Sequence, residues 1–153
     1  MGSRPKLINY LILLWLGLSA IFVLWGAFSL NILVRIQNWT ELGTLQSQLF
    51  FGYLISTIVW FVFSSLFIIF AYATYRGDTW SWTTGLIIST LFIVIFGFML
   101  AAFMVTSLLF FDWFSVNGLI SVVLSFLTDL GIVFILSRPK TKIYYAIVSS
   151  SKT

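Results

Sequence analysis

The chain has 153 residues, of which 61% are hydrophobic and only 8% charged, with a formal net charge of +4. A water-soluble domain carries about 25% charged residues, so a surface facing lipid is expected over most of the molecule. Cysteine and histidine are both absent, which excludes disulfides, thiolate nucleophiles and iron–sulfur clusters and removes the commonest metal ligand, haem ligand and neutral-pH proton shuttle.

Charges punctuate the sequence. Leu7 to Val34 carries none, between Lys6 and Arg35; Leu42 to Tyr75 none, between Glu41 and Arg76; Thr79 to Phe111 none, between Asp78 and Asp112. From Trp113 to Ser137 the single charge is Asp129. A spanning helix needs about 20 apolar residues. The pattern predicts transmembrane helices near 7–34, 48–75, 81–110 and 115–137. Residues 1–153 therefore read as one all-α transmembrane domain, an antiparallel up-down four-helix bundle. The first apolar run is much longer than the core of a signal peptide and is read as a retained helix.

With four spans, both termini and the turn at 76–80 share one side. That side holds Arg4, Lys6, Arg76, Arg138, Lys140, Lys142 and Lys152; the other holds Arg35 alone. The positive-inside rule then places both termini in the cytoplasm. The basic rim is explained by anionic lipid headgroups, with no nucleic acid partner.

The turn at 76–80 offers Gly77 for positive φ and Asp78 or Thr79 as helix N-cap. Its shortness predicts that the second and third spans form an antiparallel hairpin. Asn38-Trp39-Thr40, in the outer loop, is a glycosylation sequon, so Asn38 is a candidate acceptor. Aromatic residues cluster at the span ends in two belts. Trp15, Trp25 and Trp60 lie deeper, where an indole N–H seeks a partner across helices or subunits. Gly97 with Ala101 and Ala102, and Ser56 with Ser64 around Trp60, are small residues that let helices approach.

One segment stands out: Asn117, Ser121, Ser125 and Asp129 recur every fourth residue on the fourth span. On a helix they form one slowly drifting stripe. Facing lipid, each group would be unpaired, so the stripe is expected to face the bundle or a neighbouring subunit. Asp129 falls about 12 Å inside the cytoplasmic end at 1.5 Å per residue. No Lys or Arg lies at its depth; Trp15, Ser89 and Thr90 are the candidate seam partners. Asp129 is then carried as the neutral acid, paired with a cation from another subunit, or used to hydrogen-bond helices together. A lone carboxyl with no second acid or base makes no catalytic constellation, so no enzyme is expected.

Gly77, Trp80 and Trp82 after the second span, and Arg138, Pro139, Lys142 and Tyr144 after the fourth, resemble the basic-Gly turn with W-x-W and the R-P-x-x-K-x-Y/F segment of uncharacterised small four-helix membrane proteins of bacteria and archaea. The resemblance covers roughly a third of the chain. It implies a prokaryotic plasma (inner) membrane and a four-helix bundle, and no activity. The expected role is a non-catalytic accessory subunit packing against larger membrane subunits, of an energy-converting or redox complex, without a cofactor of its own. The alternative is a small carrier or channel for protons, ions or a hydrophobic molecule along the polar seam.

Overall fold

The computed structural model describes residues 5–37, 44–109 and 113–150. It contains five helices: α1 (Lys6–Gln37), α2 (Thr44–Arg76), α3 (Thr79–Leu109), α4 (Trp113–Leu136) and α5 (Pro139–Ser150). No strand occurs among the described residues. The first four are each long and apolar enough to cross a membrane. The fifth was not anticipated from the sequence. Asn38 lies outside the described residues, and of Asn117 only the helical backbone is described.

Helix ends follow local chemistry. α2 stops at Gly77, whose φ of 70° suits a residue without Cβ. The Gly77 N–H donates to the Thr74 carbonyl at 3.1 Å and the Asp78 N–H to the Ala73 carbonyl at 3.0 Å. This pair of bonds is a Schellman closure, which satisfies carbonyls the helix end would leave open. The Ser81 N–H then donates to the Asp78 carbonyl at 3.0 Å and starts α3. Pro139 acts twice: it turns the preceding residue away from helical geometry and so ends α4, and it opens α5, where its missing N–H costs nothing. The Thr141 and Lys142 N–H groups both reach back to the Arg138 carbonyl, at 3.0 and 3.2 Å.

Trp15 shows how the long helices are arranged. It sits near the start of α1, stacked on Phe70 near the end of α2 at 5.0 Å between centroids. A Cβ on Gly85, near the start of α3, would lie 3.1 Å from its ring and 3.5 Å from Leu136 at the end of α4. Successive helices therefore run antiparallel, and Gly85 is needed for the close approach of α3 to the indole. Lys6, Arg76, Arg138, Lys140 and Lys142 belong to this end of the bundle and Arg35 to the other.

The core is aromatic. Phe22 touches Trp60, Phe63, Phe67, Phe92 and Phe96, with centroids 5.2–6.3 Å apart. Such pairs contribute about 0.5–1.5 kcal/mol each beyond the area they bury. α1 packs along the length of α2, α3 along α4, and α1 also meets α4. Two serine rungs tie α1 to α2: the Ser19 and Ser64 hydroxyls are 2.9 Å apart and those of Ser29 and Ser56 3.4 Å apart.

α2 and α3 form the expected antiparallel hairpin through their tight turn, but pack less closely than α1 with α2 or α3 with α4. Bulky rings hold their axes apart and carry the contact instead: Phe63–Phe92 at 5.1 Å, Phe67–Phe92 at 5.6 Å and Phe70–Trp80 at 5.6 Å. Of the small residues on α3, Ala101 and Ala102 are exposed, whereas a Cβ on Gly97 would lie 3.9 Å from the Phe126 ring of α4.

α5 folds back onto the end of the bundle. The Thr141 hydroxyl donates to the Ile135 carbonyl at 2.7 Å, and the Tyr145 hydroxyl lies 3.4 Å from that of Ser81. Trp82 of α3 donates its indole N–H to the Leu136 carbonyl at 2.9 Å, fastening α3 to the α4–α5 corner.

Candidate polar site inside the bundle

The stripe on α4 turns inward where its side chains are described. Ser121 is half-buried, Ser125 buried and Asp129 inaccessible to solvent. The next turns of the same face carry Ile132 and Leu136, both buried, so the polar groups interrupt a continuous core face.

Asp129 meets α3 at Ser89. The serine hydroxyl lies beside the carboxyl, close enough to interact with it, yet neither completes a well-formed hydrogen bond. Ser89 follows Gly85 by one helical turn on the same face of α3, and Gly85 packs against Trp15. The Trp15 indole N–H is buried without a partner as well. Three helices thus each bring a buried polar group that completes no well-formed hydrogen bond among the described residues: Trp15 from α1, Ser89 from α3 and Asp129 from α4. Each buried group left unpaired costs about 1–3 kcal/mol, so packing alone does not account for keeping all three.

Thr90 does not join them. It is exposed and its hydroxyl donates to the Leu86 carbonyl at 2.7 Å. One residue of helix turns a side chain by about 100°, so Ser89 facing inward puts Thr90 outside. Thr128, beside the stripe, likewise donates to its own helix, to the Leu124 carbonyl at 2.7 Å.

Ser125 lies at a closed point of the interior. It borders a void of about 10 Å³ walled by Phe22, Trp25, Trp60, Phe96, Met99 and Val122. That is room for one water at most. Trp25 and Trp60, 5.6 Å apart, pair with each other here, so the deep tryptophans meet within this one chain.

The sequence pointed to Trp15 and Ser89 through helix depth alone. It missed Thr74, whose buried hydroxyl lies near that of Tyr145 without completing a well-formed hydrogen bond, and the contacts made by α5. No grouping of three or more Asp, Glu, His or Cys side chains forms among the described residues. As a chemical device, the site can hold one proton on the Asp129 carboxyl and offers the Ser89 hydroxyl beside it. Among the described residues no second acid or base groups with it to pass that proton on. Comparison with protein-family models, with curated proteins and with solved structures finds no match for this chain.

Proposed function

We propose that the chain is a multi-pass integral membrane protein of a prokaryotic plasma membrane, with both termini cytoplasmic, serving as a non-catalytic packing subunit of a larger membrane complex of energy-converting or redox type. The observation that carries this reading is the closed interior. Phe22, Trp25, Trp60 and Phe96 fill the space beside Ser125 and leave about 10 Å³, so at the level of Ser125 the described residues leave little room for water, which favours packing over conduction. The resemblance of the 77–82 and 138–144 segments to small prokaryotic four-helix membrane proteins, and the gathering of basic residues at one end, support the membrane and its sidedness. Mild-detergent extraction from native membranes, followed by mass spectrometry of what co-migrates, tests it. A stoichiometric set of larger subunits is expected; a stable partner-free monomer would end the reading.

The unpaired Asp129 favours a second reading, proton or ion handling by a small carrier. That reading requires Asp129→Asn to abolish flux in reconstituted vesicles while the helices stay folded. Flux equal to wild type would remove it.

A further inference from the structure

A surface feature beside the core has no part in the reading above. A groove of about 470 Å³ separates the start of α3 from α5, walled on one side by Trp80, Trp82 and Thr83 and on the other by Lys142, Tyr145 and Ala146. Its walls are anchored. Trp82 is held by its bond to the Leu136 carbonyl at 2.9 Å, and Tyr145 is buried beside Ser81. Lys142 is exposed, with its ammonium 5.8 Å from the centre of the Trp82 ring. Among the described residues no carboxylate lines the groove; Asp78, just before α3, has Arg76 3.8 Å away. Among the described residues the groove therefore presents one cation, Lys142, beside the Trp82 ring and between largely apolar walls, a complement to a single anionic group carried on an apolar body.

The surface below the groove says what that body is. Trp80 and Thr83 begin a line on α3 that continues through Ile87, Leu91, Val94 and Phe98. The spacing of three or four residues keeps all six on one face. The apolar members of the line are 45–74% exposed. From Thr83 to Val94 the track runs about 16 Å at 1.5 Å per residue, close to half of a hydrocarbon core about 30 Å thick. A polar head in the groove and an acyl chain along this track would match both in length and in chemistry.

We propose that the groove between α3 and α5 binds an anionic phospholipid, its headgroup phosphate against Lys142 and one acyl chain on the Trp80–Phe98 track. The assignment rests on the membrane reading above. Lys140 provides the internal control. It is also exposed on α5 but lies on the opposite flank, about 160° around the helix from Lys142 at 100° per residue.

The test uses full-length protein in mild detergent, loaded with phosphatidylcholine and phosphatidylglycerol, with retained lipids counted by native mass spectrometry. Preferential retention of phosphatidylglycerol is expected. Lys142→Gln should lower it by about fivefold, the effect of one basic residue near an anionic headgroup, and Lys140→Gln should leave it unchanged. Equal retention of the two lipids, or equal losses in the two variants, would overturn the site. So would displacement of the lipid by inorganic phosphate, because the acyl track would then contribute nothing. Alkaline carbonate treatment of the wild-type membranes separates the two levels of the argument. Protein released into the wash defeats the membrane reading itself, whereas protein retained without lipid preference defeats the site alone.

Discussion

At the scale of single residues, two positions carry opposite expectations. Gly77 holds a φ of 70°, and a Cβ there would stand 2.7 Å from Val148 Cγ1. The left-handed conformation costs an ordinary residue about 1–2 kcal/mol, and Val148 would have to move as well. Gly77→Ala should therefore lower the thermal midpoint in detergent, and loosen α5 with it; a midpoint equal to wild type would show that the turn tolerates a side chain. Asp129 is the reverse case. Its two carboxylate oxygens are buried without partners among the described residues. Replacing both members of a buried polar pair with apolar groups of similar shape is nearly neutral or stabilising, so Asp129→Leu combined with Ser89→Ala should unfold at an equal or higher temperature than wild type. A clear loss of stability would mean that the carboxyl is satisfied by something outside the bundle core. The four-residue spacing from Ser121 to Asp129 was legible in the sequence because a helix converts it directly into one face. The partners were legible only to within a turn: depth along a span selects Ser89 and Thr90 equally, and only the rotation of α3 decides between them.

At the scale of elements, α5 is what sequence reading lost. It is short, carries its two Lys around Thr141 in the first turn, and opens on a proline that reads first as a helix stop. The same proline is also a good first residue of a helix, and docking through Thr141 and Tyr145 supplies the stability that so short a helix lacks alone. That docking should be sensitive to pH. Burial pushes the Tyr145 hydroxyl above the usual tyrosine value, against smaller opposing contributions from Ser81 and Thr74. The unfolded chain then loses its phenolic proton first, near pH 10. Docking is fully stable below that pH and is lost as pH rises through the folded-state value. Alkaline titration should release α5, read as faster amide exchange at 139–150, and Tyr145→Phe should remove this component of the pH dependence. The serine rungs belong to the same scale. A double-mutant cycle on Ser19→Ala and Ser64→Ala should return a coupling of about 0.6 kcal/mol, the mean for hydrogen bonds between membrane helices; zero coupling would mean that each hydroxyl bonds its own backbone instead.

At the scale of the whole molecule, the number and order of the long helices were legible because charge-free runs of this length have few other uses. Their pairing was not. A tight turn puts α2 and α3 side by side in the chain, but the rings of Phe63, Phe67, Phe70 and Phe92 set their separation, and the closest packing goes to α1 with α2 and α3 with α4. Sidedness is the property that the bundle geometry makes most directly testable. Trp15 brings the start of α1, the end of α2, the start of α3 and the end of α4 to one level, so Lys140 on α5 must lie at the opposite end from Gln37, the last residue of α1. The chain has no cysteine, so Gln37→Cys and Lys140→Cys each introduce a single reporter thiol without removing any other. In sealed right-side-out vesicles, a membrane-impermeant maleimide should label the variant at 37 and spare the one at 140; in inverted vesicles the pattern should reverse. Labelling of both from one side would contradict an odd number of crossings between them. The reversed pattern would keep the four spans but place the basic end, and with it the α3–α5 groove, on the outer surface, where the positive-inside argument does not apply.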